Sequence, residues 1–293
     1  MSLTEAILGA QHTMRTASGP TLWPFLCVVL FFSGTLIAFL IRRSFKGPYV
    51  DAEITQRGGR VLLPDALWEY WFWTTHPMER ALLAVHATPN AITVVSLFLS
   101  IAGGLCFAFG EIGFGGWLYM FGGTFDVFDG RLARATGRSS RAGAFLDSNL
   151  DRWGEAAVLL GLAIFFNGGR GAPLSGFALV TSLMVSYTKA RGESLGVACG
   201  EGGMQRAERI VYLGLSCVFA PLVEMTWSGH GAWLVESIVG LIGVSSLVTA
   251  IRRTVLIYRA LRSPAATQAL EGKAWPASRV PQRMPFRAPG PVA

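Results

Sequence analysis

Charged residues are scarce in this chain. Of its 293 residues only 15% are charged, 52% are hydrophobic, and the mean hydropathy is +0.44. A chain with so little charge is too apolar for an ordinary soluble domain. Several apolar runs also reach the roughly 20 residues that a helix needs to cross a hydrocarbon core. The composition therefore predicts an all-α integral membrane protein.

Cysteine is rare as well. The chain has four cysteines, and they lack the spacing of a metal site. Three of them fall in apolar runs, so we expect reduced, packed thiols rather than disulfides. A small-residue cleavage site is also missing after the first apolar run, Leu22 to Ile41, where Arg42, Arg43 and Lys46 follow instead. A cleaved signal peptide is therefore disfavoured.

Acidic residues are fewer than basic ones, 18 against 25, which gives a formal net charge of +7. Such an excess is also found in nucleic-acid-binding proteins, but here the positive residues cluster at the ends of apolar runs. That placement is typical of membrane topology and of contact with anionic lipid headgroups. We therefore expect membrane lipids, and no nucleic acid, as partners.

The acidic residues that carry chemistry are concentrated in one stretch, DVFDGRLARATGRSSRAGAFLDSNLD. Asp126 and Asp129 lie three residues apart, and Asp147 and Asp151 four, so each pair shares one face of a helix. Both pairs adjoin strongly apolar segments, where a carboxylate is costly and is usually retained for function. Four converging carboxylates repel one another unless cations lie between them, and Mg²⁺ and Mn²⁺ prefer oxygen ligands.

Glycines and arginines complete this stretch. Gly130 and Gly143 have no side chain, so a bulky group can approach the backbone there. The connecting loop is expected to hold four donors suited to phosphate, namely Arg131, Arg134, Arg138 and Arg141. The combination predicts a site for a metal-bound nucleotide diphosphate. The alternative is a set of salt bridges at helix ends, which would not need the glycines.

Eight positions of this stretch fit the pattern D-x2-D-G-x2-A-R-x8-G-x3-D-x3-D: Asp126, Asp129, Gly130, Ala133, Arg134, Gly143, Asp147 and Asp151. In this pattern the chain resembles the CDP-alcohol phosphotransferase family, integral membrane enzymes that make phospholipids. The resemblance extends from about residue 88 to about residue 209. It implies a CDP-lipid donor, release of CMP, and two Mg²⁺ or Mn²⁺ ions.

The resemblance also implies roles for individual residues. One ion would be held by Asp126, Asp129 and Asp147, and the second by Asp126, Asp147 and Asp151. Asp151 would also accept the proton of the attacking alcohol. The CDP moiety would contact Asn90, Thr93, Asp129, Gly130, Ala133, Arg134 and Gly143. Read as plain helix caps, Asn90 and Thr93 would need no such role.

A second cluster follows at SYTKAR, residues 186–191, and GGMQRAER, residues 202–209. Within the family these segments resemble the phosphatidylinositol phosphate synthases, although the residues between them differ in detail. They imply a phosphorylated acceptor, inositol phosphate, bound by Lys189, Arg206 and Arg209. Topology-setting charge is the alternative reading of these cations. Glycerol phosphate and serine remain alternative acceptors.

The alternation of apolar runs and positive ends predicts a six-helix core, one extra N-terminal transmembrane helix and an interfacial helix. We divide the chain into an N-terminal segment with the extra helix (1–46), a linker with the interfacial helix (47–87), the catalytic membrane domain (88–262) and a disordered basic tail (263–293). The active site would face the cytosol from the cell membrane, in a homodimer. A cation-coupled transporter and a non-catalytic membrane scaffold are the alternatives from other classes.

Overall fold

The computed structural model of the protein describes residues 23–48, 65–167, 169–197, 204 and 206–262. Within these ranges it has eight helices: α1 Trp23–Lys46, α2 Asp65–Ala84, α3 Pro89–Ala108, α4 Ile112–Ala135, α5 Arg141–Phe166, α6 Gly171–Ser194, α7 Arg206–Thr226 and α8 His230–Arg262. The predicted N-terminal residues before 23, most of the linker, Cys199 and the basic tail lie outside the described residues. The four-part division of the chain stays a prediction.

Six of the helices pack in a ring. α3 packs on α4 and α5, α4 on α7, α7 on α8, α8 on α6, and α6 on α5, which returns to α3. Fully buried side chains such as Phe107, Leu162, Leu213 and Val239 fill the centre of this ring. The predicted six-helix core is confirmed in this arrangement.

Glycines allow the closest approach between α3 and α5. A Cβ atom on Gly104 would collide with the backbone of Ala157, and one on Gly161 would collide with the backbone of Gly104. Small residues at helix interfaces are typical of membrane proteins, in which backbones approach closely and gain dispersion contacts. This contact fixes α5, and with it the second aspartate pair, against α3.

Local capping sets where the two helices nearest the aspartates begin. Thr88 caps α3 and accepts a hydrogen bond from the Ala91 amide, with Pro89 in the first turn. Ser140 caps α5 and accepts a hydrogen bond of 3.0 Å from the Gly143 amide. The sequence Thr88-Pro89-Asn90 is typical of a helix start, and that prediction is confirmed.

The structure differs from the sequence predictions at some helix ends. Arg131 and Arg134 were expected in the connecting loop, but they belong to the last turns of α4, and only Arg138 lies between α4 and α5. The apolar runs also predict an exterior turn from Glu111 to Gly115 and an end of the last helix near Ile251. α4 instead already begins at Ile112, and α8 continues to Arg262, about three turns further. Hydropathy marks where a helix leaves the lipid, whereas the helix itself continues as long as its hydrogen bonds are satisfied.

Among the described helices, α1 from Phe25 onward, α3, α7 and α8 are long and apolar enough to cross a membrane. α4 and α5 contain the aspartate pairs, and this charge lowers their hydropathy. Each packs between two other helices of the ring, α4 between α3 and α7 and α5 between α3 and α6. The arrangement is that of a multi-pass membrane protein with charged groups held inside the bundle.

The first two helices pack against one side of the ring. α1 contacts α4 and α7, where Phe25 meets Phe219 edge to face at 5.2 Å between ring centroids. Arg43 of α1 pairs with Glu69 of α2 at 3.2 Å, and α2 in turn contacts α4. Both helices therefore lie next to the helix that carries Asp126 and Asp129.

Candidate active site

Three of the four signature aspartates form one cluster. Asp126 and Asp129 lie one turn apart near the end of α4, and Asp147 lies in the second turn of α5. Each offers a carboxylate oxygen, and these oxygens all lie within 4.8 Å of one another. Three negative charges at this spacing repel one another strongly, and a cation between them would remove that repulsion. Hard divalent cations also require several oxygen ligands, which the three carboxylates provide.

The donor set fits a hard metal ion. Asp126 Oδ1 is buried and has no hydrogen-bond partner within the described part of the chain. A buried carboxylate oxygen left unpaired is costly, and a bound cation would remove that cost. Asp126, Asp129 and Asp147 are therefore the residues of this structure best suited to hold Mg²⁺ or Mn²⁺.

Thr93 of α3 orients one of these carboxylates. Its hydroxyl donates a hydrogen bond of 2.6 Å to Asp129 Oδ2, and both side chains are buried. Support of this kind, from a residue that binds the ligand rather than the metal, typically tunes a metal site. The predicted CDP-binding role of Thr93 is not tested by this contact, which gives the hydroxyl a partner in the protein.

Arg206, the first residue of α7, links the two aspartate pairs. Its Nη1 donates to Asp126 Oδ2 at 2.5 Å and lies 2.9 Å from Asp151 Oδ1. Asp151 is thus brought to the cluster through a guanidinium that it shares with Asp126. Arg206 Nε is buried and has no hydrogen-bond partner among the described residues.

A buried pair lies one turn beyond Asp151. Arg209 Nε donates to Glu155 Oε1 at 2.8 Å, Arg209 Nη2 donates to Glu155 Oε2 at 3.3 Å, and both residues are almost fully buried. Sequence reasoning expected Arg209 at the acceptor and missed Glu155. The signal was present, since Glu155 continues the spacing of Asp147 and Asp151 along one face of α5.

Lys189, the third predicted acceptor residue, has a different environment. It lies near the end of α6, its side chain is about half exposed (53%), and its ammonium group is 3.9 Å from Glu193 on the same helix. The three predicted acceptor residues therefore have three different environments. Lys189 is exposed, Arg206 contacts the aspartates, and Arg209 is buried against Glu155.

The two glycines of the predicted CDP-binding set lie beside the ends of other side chains, and their contact with the CDP moiety stays a prediction. A Cβ atom on Gly143 would meet only Ser140 Oγ at 3.1 Å and Asn90 Oδ1 at 3.5 Å. On Gly130 it would meet only the guanidinium of Arg134, with Nη1 at 3.3 Å. Both positions face side-chain ends rather than a packed backbone, unlike the glycines between α3 and α5.

Ala133 and Arg134 complete the predicted CDP-binding set. Ala133 is half-buried and Arg134 is exposed in the last turns of α4. Arg134 lies beside Gly130, and Asn90 of the predicted set lies beside Gly143. The arrangement provides oxygens for cations, arginine donors for phosphate and space beside the backbone.

Comparison with known proteins identifies the chemistry. The family described as CDP-alcohol phosphatidyltransferase matches residues 86–191. A phosphatidylinositol phosphate synthase of Streptomyces avermitilis is 37% identical over 203 residues, which are 66% of this chain and 82% of that protein.

Two solved structures of the Mycobacterium tuberculosis phosphatidylinositol phosphate synthase are similar in fold. The one with CDP-DAG bound has a TM-score of 0.55 and 30% identity, and the match covers 66% of this chain and 96% of that one. The one in complex with manganese and citrate has a TM-score of 0.57 and 30% identity, with 66% and 91% covered. Since the matched part of the chain spans most of the length of these relatives and includes the whole aspartate signature, the chain belongs to the CDP-alcohol phosphatidyltransferase family, a family of membrane transferases.

Proposed function

We propose that this protein transfers the phosphatidyl group of CDP-diacylglycerol to inositol phosphate and releases CMP. The observation that carries the proposal is the convergence of Asp126, Asp129 and Asp147 in a chain whose relatives are phosphatidylinositol phosphate synthases. Membership of this family of transferases favours an enzyme over a cation-coupled transporter or a non-catalytic scaffold. The acceptor is inferred from these relatives and from the two cation-rich segments at residues 186–191 and 202–209.

Divalent cations have a defined place in this proposal. Asp126, Asp129 and Asp147 would hold one ion, and Asp126, Asp147 and Asp151 the second. Bound there, Mg²⁺ or Mn²⁺ would neutralise the diphosphate and the charge that develops on the departing CMP. The unpaired Asp126 Oδ1 and the short spacing of the carboxylates support this assignment.

The reaction itself is a displacement at phosphorus. The acceptor hydroxyl oxygen forms a bond to the phosphorus that bears diacylglycerol, and the bond from that phosphorus to the oxygen of CMP breaks. The departing CMP takes the electron pair of that bond. Asp151 accepts the hydroxyl proton, provided that its carboxylate reaches the hydroxyl. Arg206, 2.9 Å from Asp151, holds this carboxylate beside the cluster.

The donor nucleotide would occupy the space beside Gly130 and Gly143. Asn90 is the neighbour of Gly143, and Arg134 is the neighbour of Gly130, because a Cβ atom on each glycine would contact that side chain. We infer that Asn90 and Ala133 line the cytidine and ribose, and that Arg134 faces phosphate. Thr93 contributes through the carboxylate of Asp129.

The acceptor phosphate would meet Arg206 and Lys189. The unpartnered Nε of Arg206 and the exposed ammonium of Lys189 are donors suited to phosphate oxygens. We infer that Arg209 stabilises this pocket through Glu155, and direct binding of the acceptor by Arg209 stays a prediction. The active site would face the cytosol of a cell membrane, and we propose a homodimer, testable by its mass in detergent.

The test is turnover by the purified full-length protein. CDP-diacylglycerol, Mn²⁺ or Mg²⁺, and a panel of inositol phosphate, glycerol phosphate and serine would be supplied, and CMP and the lipid product measured. We expect CMP release with inositol phosphate, and none from Asp147→Asn, which loses a ligand of both ions. Glu111→Gln, which neutralises an exposed acid just before α4, is the control and should keep activity. Preference for glycerol phosphate or serine would overturn the acceptor assignment.

A further inference from the structure

α2 is attached to the end of α4 by a charge pair outside the eight-position signature. Both the Nε and the Nη2 of Arg131 lie on Glu79 Oε2 of α2, at 3.1 and 2.9 Å. Each of the two side chains is only 13% exposed. The guanidinium of Arg131 also lies over the ring of Phe72, 4.6 Å from its centroid. Two different residues of α2 therefore hold one side chain of α4.

That side chain belongs to the turn that carries the metal ligands. Arg131 follows Gly130 directly and lies two residues after Asp129. Two residues correspond to about 200° around a helix axis, so Arg131 and Asp129 lie on opposite faces of the same turn. On the Asp129 face, Thr93 of α3 donates its hydrogen bond of 2.6 Å. The turn is thus held from α3 on one face and from α2 on the other.

This turn needs outside support for two reasons. Gly130 inside a helix costs about 1 kcal/mol relative to alanine, because glycine loses more backbone freedom on folding. In addition, Asp126, Asp129 and Asp147 repel one another, and α4 ends at Ala135, about one turn after Arg131. A pair that is largely removed from water and stacked on an aromatic ring restrains such a turn more strongly than an exposed pair does.

We propose that Glu79 is a positioning residue for the metal cluster, which acts through Arg131 to fix the turn of α4 that presents Asp126 and Asp129. α2 is then part of the catalytic machinery and more than a membrane-surface anchor. This inference rests on the proposed function in one respect, namely that the aspartates bind a divalent ion.

The test measures Mn²⁺ binding directly, by electron paramagnetic resonance on the full-length protein in detergent without any lipid substrate. Glu79→Gln should weaken Mn²⁺ binding about tenfold, near the lower end of the range typical for residues that support metal ligands. Arg131→Gln should weaken it equally. Because the two residues act as one pair, the double variant should bind Mn²⁺ no more weakly than either single variant.

Glu69→Gln is the matched control. It neutralises another acid of α2 with almost the same exposure, 14%, but breaks the pair with Arg43 of α1 and leaves Arg131 untouched. Mn²⁺ binding should be unchanged in this variant. Unchanged binding in Glu79→Gln, or equal losses in both variants, would overturn the proposal in favour of simple docking of α2.

Folding and function are separated by two further measurements. If Glu79→Gln does not fold, Arg131→Lys provides the second test. This variant keeps the positive charge and one contact, so it should bind Mn²⁺ better than Arg131→Gln. Equal Mn²⁺ binding by Arg131→Lys and Arg131→Gln would contradict a role of this pair. If the wild-type protein binds Mn²⁺ but releases no CMP, the proposed reaction is wrong. The effect of Glu79→Gln on Mn²⁺ binding can still be measured in that case, so the two proposals are tested separately.

Discussion

At the scale of single residues, the site is defined by which charges share a partner. Arg206 is shared between Asp126 and Asp151, whereas Arg209 is committed to Glu155. The two arginines lie three residues apart on α7, so they project from one face of the helix onto successive acids of α5. One arginine therefore lies at the reacting groups, and the other lies a turn deeper, in the bundle.

The buried pair has a measurable consequence. Arg209→Ala should lower the stability of the protein by about 3–5 kcal/mol, because Glu155 is left buried without its cation. Thermal unfolding in detergent measures this loss, and Arg191→Ala, which removes an exposed cation of α6, should leave the midpoint unchanged. The double variant Arg209→Gln with Glu155→Gln should recover part of the stability.

The opposite result for this variant would also be informative. If Arg209→Ala kept the unfolding midpoint of the wild type and raised only the KM for inositol phosphate, Arg209 would bind the acceptor directly. The ratio of the KM change for the acceptor to that for CDP-diacylglycerol distinguishes the two roles.

At the scale of helices, the position of α5 is determined by its contact with α3. Gly104 and Gly161 face each other with no room for a side chain, and Gly154 lies against Ser100 one to two turns away. Asp147 and Asp151 extend from this same helix toward α4. A small displacement of α5 would therefore alter the spacing of the carboxylates as well as the packing.

Gly161→Ala tests this contact. The added methyl group would overlap the Gly104 carbonyl, and a backbone atom cannot move aside unless α3 and α5 separate, so we expect a loss of about 1–3 kcal/mol in stability. Gly176→Ala is the control in α6, where a Cβ atom would meet nothing within 4 Å. It should stabilise the protein by up to about 1 kcal/mol, from helix propensity alone. Equal unfolding midpoints for the two variants would contradict the tight contact.

At the scale of the whole molecule, the positive-inside rule predicts an orientation for the ring of helices. The turn between α4 and α5, residues 136–140, contains Arg138 and is followed directly by Arg141, whereas the turn between α7 and α8, residues 227–229, has no Lys or Arg. Positive residues favour the cytosolic side. The aspartates near the first of these turns would then face the cytosol, where a water-soluble acceptor is available.

Single cysteines in a cysteine-free background test this orientation. Ser228→Cys, in the turn between α7 and α8, should react with a membrane-impermeant maleimide in intact cells. Ser139→Cys, in the turn between α4 and α5, should react only after permeabilisation. Both native serines are exposed, so accessibility within the protein does not confound the comparison. Labelling in the reverse pattern would place the active site outside.

The sequence by itself determined the features that depend on local spacing. Apolar runs of membrane length predicted the helices, and the positions of Asp126, Asp129, Asp147 and Asp151 predicted both the family and a metal cluster. Such features are encoded within a few turns of helix, because side chains three or four residues apart share a face. The same reasoning predicts that Gly130 and Gly143 lie beside the CDP moiety.

Only the tertiary structure decided which distant residues meet. Arg206 and Asp126 are 80 residues apart in the chain, Arg209 and Glu155 are 54 apart, and Arg131 and Glu79 are 52 apart. Charge placement gave each of these arginines several candidate partners, including lipid, solvent and substrate. The ring of helices brings two acids to Arg206, and Arg209 and Arg131 each meet one, since a charge enclosed in an apolar bundle is stable only beside a counter-charge.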